Sequence, residues 1–327
     1  MASFRQRNNK WQARVSRDGH PTQVKTFNAR CDAERWSRLV ESEMDKGQFV
    51  SIDVAQRTTL GDLIYRYLAE VTPTMKGVTE DTIRLKAIMR NPIARWSMAN
   101  LSASRIAGFR DERLKEVSGG TVIRELAYLS AIINHARREW GINVPNPVQM
   151  VRKPQSPQAR SRVLTDEEIS KLLQALEPTG RRSHWTKPAV QLALATAMRR
   201  GELLSLRWEH IDLQDRTAFL PDTKNGDSRT VPLSSVAVQV LAELPRHFSG
   251  VVIPVKYFTL DAAFKRGVRR SGLDGVRFHD LRRTAITRMA EKLPNVIELA
   301  AVSGHKSLMV LKRYYRPSAM DLAKKLG

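Results

Sequence analysis

Apolar residues in this chain first fall at every second position and then, from Thr59 onward, at every third or fourth. Trp11, Ala13 and Val15 alternate with polar neighbours, Asp18-Gly19 marks a turn, and Val24 to Phe27 follow. That pattern predicts a small hairpin or a three-stranded sheet. Asp32 suits a helix N-cap, with Ala33, Trp36 and Val40 on one face of the helix behind it. Leu60, Leu63, Ile64, Tyr67 and Leu68 keep the spacing of an amphipathic helix, and Val122, Leu126, Leu129, Ile132, Ile133 and Ala136 form a second stripe. Breakers at Pro73, Gly77 and Pro92 divide shorter helical pieces between them. Residues 57–150 therefore read as a compact helical domain, with these stripes as its core.

Residues 152–162, RKPQSPQARSR, carry four basic residues, two prolines and two serines, so residues 151–163 read as a solvated basic linker. Thr165 and Glu168 then have the spacing of a capping box and open a second globular unit, residues 164–327. It continues with a helix over 188–198, a β pair at 217–223 and 228–233, and helices to the end. The fold class is mostly α with small β-sheets (α+β).

Composition sharpens this outline. Lys and Arg number 55 against 33 Asp and Glu, a formal charge of +22, while 42% hydrophobic residues are ample for packed cores. By segment the excess is +4 over residues 1–50, +4 over 51–150 and +14 over 151–327. A charge of this size calls for a polyanionic partner, of which nucleic acid is the commonest. Residues 1–50, a sheet and a helix at +4, suit either an arm that binds DNA or a structural appendage. No apolar run is long enough to span a membrane and no secretory h-region opens the chain. The single cysteine, Cys31, cannot form an intramolecular disulfide, which fits a reducing, cytoplasmic interior. With one Cys, seven scattered His and no HExxH or CxxC, no metal site and no cofactor are expected.

Five segments of the second unit carry candidate chemistry. ATAMRRGELLSLRW sets Arg199 and Glu202 three apart on a helical turn, and in DTKNGDSRTVPLS the Asn225-Gly226 hairpin signal puts Lys224 at a protruding tip. FHDLRRTAITRMA places His279 and Arg282 on one helix face. In SGHKS, Gly304 ends a helix and His305 follows it; in LKRYYRP, Tyr314 stands nine residues beyond His305. Singly, each has an ordinary reading as a phosphate contact, a solvated tip or core packing.

Together and in this order they resemble the catalytic domain of the tyrosine recombinases, the phage-integrase family of site-specific DNA recombinases. The family's order of Arg, Lys, His-x-x-Arg, His or Trp, then Tyr falls on Arg199, Lys224, His279, Arg282, His305 and Tyr314. The resemblance spans about residues 160–316, and the helical domain before it matches the family's core-binding domain in position and size. It departs where the family usually has Gly (here Ala197) and Thr (here Leu311), neither of which donates chemistry.

The resemblance implies a 3′-phosphotyrosyl link to Tyr314 and a free 5′ hydroxyl, which later attacks that link to rejoin strands without ATP or metal. Arg199 and Arg282 would clamp the phosphate oxygens, since a guanidinium pairs with phosphate in a fork and stays charged. His305 would donate a further hydrogen bond to those oxygens. His279 would accept the Tyr314 proton or orient the phosphate, and Lys224 would protonate the leaving 5′ oxygen. Glu202 is read as a partner holding Arg199, and Tyr315 is the competing nucleophile. Arg152, Lys153, Arg160, Arg162, Arg200 and Arg283 are candidate DNA contacts. The implied partners are double-stranded DNA, a homo-tetramer on paired sites, and accessory DNA-bending or directionality factors, with the protein nucleoid-associated in a bacterial or phage-infected cell. Residues 1–50 favour an integrase of a phage or other mobile element; a type IB topoisomerase-like enzyme and a non-catalytic DNA-binding regulator are the alternatives.

Overall fold

The computed structural model describes residues 2–45, 52–142, 144–158, 160–180, 182–221, 228–314, 320, 323 and 326. The chain forms two compact units, residues 1–159 and 160–327. No helix among the described residues is long and apolar enough to cross a membrane.

The first unit opens with an antiparallel meander of β1 (Ala2–Arg7), β2 (Lys10–Arg17) and β3 (His20–Phe27). Asn8 and Asn9, at φ 48° and 59°, make the first reversal, a two-residue turn that needs left-handed backbone at both positions. Gly19, at φ 80°, serves the second. Helix α1 (Arg30–Asp45) follows, and Val15, Val40 and Met44 form a small core with Trp36 against it. Asp32 lies inside the first turn of α1, not at its N-cap: the helix starts at Arg30, whose Nε pairs with Glu34 at 2.8 Å. An acidic side chain in the first turn still suits the positive end of the helix dipole.

The helical part contains α2 (Ile52–Arg57), α3 (Leu60–Glu70), α4 (Val78–Arg90), α5 (Ala103–Glu116) and α6 (Gly119–Glu139). Thr59 caps α3 in a reciprocal box with Asp62. The stripes of α3 and α6 meet in one core with Leu85, Ile88, Ile106 and Phe109. Pro73 and Pro92 sit in short 3₁₀ turns, and Gly77 is the N-cap of α4, so the breakers separate helices as expected.

The second unit runs α7 (Asp166–Ala175), α8 (Thr186–Thr196), α9 (Arg200–Ser205), β4 (Ile211–Asp212), β5 (Thr217–Leu220), β6 (Arg229–Pro232), α10 (Ser235–Glu243), α11 (Tyr257–Arg270), α12 (Phe278–Lys292), α13 (Val296–Ser303) and α14 (Leu308–Leu311). The Thr165–Glu168 capping box is present on α7. The sheet has three antiparallel strands, one more than the sequence predicts, because the two-residue β4 is too short to show a period. The Asn225-Gly226 tip, with Lys224, lies outside the described residues. Two cores fill the unit. The larger joins α7, α8, the sheet, α10 and α11; the smaller gathers Ala197, Ala285, Ile286, Leu299 and Leu311, with Tyr314 packed against it.

Candidate active site

The site is assembled by two left-handed chain reversals. The first, at Ala197 (φ 53°), ends α8. Arg199 follows in extended conformation and caps α9, where Glu202 Oε2 accepts the Arg199 amide at 2.8 Å and Oε1 accepts Arg199 Nη1 at 2.6 Å. The second, at Gly304 (φ 66°), ends α13 and delivers His305.

The last carbonyls of a helix have no partner within it and carry partial negative charge. Two arginines use them. Arg199 Nη2 donates to the Gly304 carbonyl at 3.1 Å, and Arg282 Nη2 donates to the adjacent Ser303 carbonyl at 2.6 Å. Arg282 also donates through Nη1 to the Ala197 carbonyl. The arginine of α12, 3% exposed, thus bridges both reversals. A guanidinium has five N–H groups, so two contacts on each arginine leave three to meet an oxyanion.

Glu202 is the charged centre of this group. It is 5% exposed, and besides Arg199 it receives Arg229 Nη1 on Oε1 at 3.0 Å and Nη2 on Oε2 at 2.9 Å. Burial would raise its pKa, but the Arg199 amide and the two guanidiniums outweigh burial and hold the carboxyl below its usual range. Arg282 has its pKa lowered to about 10, first by burial and then by Arg199.

The imidazoles are held neutral. Desolvation, then Arg282 and Arg199, lowers His305 to about 4. Desolvation, then Arg282 and Arg283, lowers His279, which is exposed on α12. Ser303 Oγ donates its one proton to the Leu299 carbonyl at 2.6 Å and lies 2.8 Å from His305 Nδ1. A hydroxyl so engaged can only accept from the ring, so Nδ1 carries the imidazole proton and Nε2 its lone pair. In this form His305 accepts at Nε2. The hydrogen bond it was expected to donate to phosphate requires a second proton there.

Tyr314 is half-buried three residues beyond α14, its ring centroid 6.0 Å from that of His305 and its face 5.4 Å from the Arg283 guanidinium carbon. Arg199, Glu202, His279, Arg282, His305 and Tyr314 are therefore drawn together, while Lys224 and Tyr315 lie outside the described residues.

The other basic candidates divide. Arg152 and Lys153 are exposed. Arg160 is engaged by Asp280, Arg162 by the capping Glu168, and Arg200 by Asp261 and the Tyr257 ring 3.6 Å away. Carboxylates of the same unit thus take up three side chains assigned to DNA. Arg283 sits over Tyr314. Sequence reasoning missed Ser303 and Arg229. Arg229 did leave a signal, since it shares the inward phase of its strand with Val231 and Leu233, where a lone cation demands a buried partner. Among the described residues no cluster of His, Cys, Asp and Glu could hold a metal.

The sequence matches the Phage integrase family over residues 162–320 and the Phage integrase, N-terminal domain over residues 56–154. It is 36% identical to a putative integrase/recombinase of Haemophilus influenzae, over 98% of this chain and 89% of that protein. It is 40% identical to a shufflon-specific DNA recombinase of Escherichia coli, over 83% of this chain and 72% of that protein. The fold superposes on a lambda integrase tetramer bound to a Holliday junction with a TM-score of 0.66, at 22% identity, covering 93% of this chain and 95% of that chain.

Proposed function

The chain belongs to the phage integrase family, and we propose that this tyrosine recombinase cuts DNA with Tyr314 while Arg199 and Arg282 hold the scissile phosphate. The observation that carries the reading is the pair of guanidiniums tied to consecutive carbonyls, those of Ser303 and Gly304, beside His305 and the Tyr314 ring.

Tyr314 Oη attacks the phosphorus, an O–P bond forms to the 3′ phosphate, and the bond to the 5′ oxygen breaks. A phenol with a reference pKa of ~10 needs a proton acceptor, and the neutral imidazoles supply one: His279, or His305 through Nε2. An imidazole that has taken the proton then donates to the phosphate oxygens. As charge builds on the phosphorane, the remaining N–H groups of Arg199 and Arg282 stabilise it, an interaction that strengthens in the transition state. Lys224 protonates the departing 5′ oxygen, a role that rests on the family resemblance. Glu202 orients Arg199. Because the phosphotyrosyl bond is itself an ester, a 5′ hydroxyl from another duplex can reverse the step and rejoin the strands.

The substrate is double-stranded DNA, held through phosphates by a chain with a formal charge of +22. Lambda integrase assembles as a tetramer on a Holliday junction, and the same assembly on paired sites is proposed here. Residues 57–150 would bind the core site and residues 1–50 an arm site, with the protein associated with the nucleoid.

The experiment is covalent trapping. A pool of nicked duplexes with a randomised core is incubated with the protein, and denaturing gels reveal protein joined to DNA. A band in wild type and in Tyr315→Phe, absent in Tyr314→Phe and insensitive to chelator, is the expected result. A DNA-linked peptide that maps to Tyr315 would overturn the assignment.

A further inference from the structure

Arg229 is the first residue of β6, and its side chain is 12% exposed. Its guanidinium forks onto both oxygens of Glu202, the carboxylate that also holds the side chain and amide of Arg199. The same guanidinium lies against Gly304, where an added Cβ would collide with it. Gly304 is thus required twice, for its left-handed backbone and for the passage of Arg229 beside the carbonyl that receives Arg199.

Glu202 alone would have a simpler option. A carboxylate and a guanidinium prefer the two-point fork, and Glu202 is close enough to Arg199 to form it. That closure would tie up the N–H groups of Arg199 and spend its positive charge on the carboxylate instead of the phosphate. Arg229 shares Oε1 with Arg199 Nη1 and, with the Arg199 amide, fills Oε2, so that no second oxygen is open to the Arg199 side chain. Arg199 is left with one side-chain bond to Glu202, and the two arginines on one carboxylate leave the group net positive beside the phosphate.

We propose that Arg229 is a positioning residue for strand cleavage: by forking onto Glu202 it keeps Arg199 turned toward the scissile phosphate. The inference rests on the reading of Arg199 as a phosphate clamp. It concerns the reacting step more than the docking of DNA.

The test measures single-turnover cleavage of a duplex selected from the trapping pool, by wild type, Arg229→Gln, Arg229→Lys, Glu202→Gln, the double variant Arg229→Gln/Glu202→Gln, and Arg199→Ala. Arg229→Gln is expected to bind the duplex within about 3-fold of wild type and to cleave roughly 10²-fold more slowly, the size typical of a mis-set oxyanion donor. Arg229→Lys, which keeps the charge and loses the fork, falls between and remains informative if the glutamine variant folds poorly. In the Glu202→Gln background the Arg229→Gln change should cost little more, since its route is already cut. On the same duplex with an uncharged methylphosphonate at the cleavage position, Arg229→Gln should approach wild type, because no phosphate charge then depends on Arg199. Additive losses in the double variant, or an equal deficit on the methylphosphonate, would overturn the proposal. Wild-type cleavage by Arg199→Ala would instead overturn the clamp reading beneath it; an inactive Arg199→Ala beside a fully active Arg229→Gln would sink the Arg229 proposal alone.

Discussion

Arg160 closes on Asp280 across 120 residues of chain, its Nε 2.9 and 3.1 Å from the two carboxylate oxygens. Asp280 is 2% exposed and also accepts the Arg277 amide at 2.8 Å, so one carboxylate caps α12 and anchors the segment entering the second unit. A few residues on, Thr284 Oγ1 accepts the Leu164 amide at 3.0 Å and fixes the same segment to the same helix. The helix so secured is the one that carries His279 and Arg282.

Asp280→Ala removes the cap and leaves the Arg277 amide unpaired, and a lost cap of this kind costs about 2 kcal/mol or less. Arg160→Ala should cost less, because its side chain is 37% exposed and water can reach the carboxylate it leaves. Urea denaturation of the two variants checks the order.

Salt dependence should separate exposed basic residues from engaged ones. Each phosphate contact removed lowers the slope of log K against log salt by about 1. Arg152→Ala and Lys153→Ala, both exposed, should each reduce it by about that amount. Arg160→Ala should leave it unchanged, its guanidinium being held by Asp280. Binding isotherms over a salt series give the slopes directly.

His305 makes the protein sensitive to acid. Unfolded, it binds a proton near the reference pKa of ~6.5. Folded, it resists protonation until about 4. Between these values the unfolded state holds more protons, so stability falls as pH drops through that window and is fully present above it. His279, also lowered, acts in the same direction. Denaturation at pH 7.5 and pH 5 should show the loss, and His305→Asn should show less of it. Nitrogen-15 NMR of the imidazole should find the proton on Nδ1. Ser303→Ala should let the two tautomers exchange and slow cleavage several-fold.

Ala197 bears two opposing terms. Its left-handed φ of 53° costs an alanine ~1–2 kcal/mol. Its methyl is fully buried against the smaller core, and burying one carbon contributes ~0.8 kcal/mol. Ala197→Gly relieves the first and loses the second, so thermal stability should change by less than about 1 kcal/mol. Ala197→Val, β-branched in the same conformation and volume, should destabilise by about 2 kcal/mol or more and carry the Arg282 contact with it.

Much of this architecture was legible in the sequence because it rests on periodicity and capping. The stripes of α3 and α6 and the capping box at Thr165 are one-dimensional patterns with a single three-dimensional solution. The Asn8-Asn9 reversal passed unread, since two asparagines are a weaker turn signal than Asn-Gly and only the paired strands reveal it. At the site, the order of distinctive side chains along the chain names Arg199, His279, Arg282, His305 and Tyr314, which the fold draws together. It does not name their anchors: Ala197, Ser303 and Gly304 act through carbonyls, which every residue has, and only tertiary structure says which ones are left over.

Two guanidiniums, those of Arg199 and Arg229, share the buried carboxylate of Glu202, and the charge of Arg282 lies near it. Anyone seeking to harden this protein for use at high temperature would find an inviting shortcut there. A second acid placed among the three would relieve their mutual repulsion and raise the melting temperature, and it would also compete for the N–H groups meant for DNA. Screens that reward stability alone would therefore drift toward dead variants at this position. The excess positive charge is better treated as a fixed boundary of any redesign, with improvements sought in the helical core of the first unit instead.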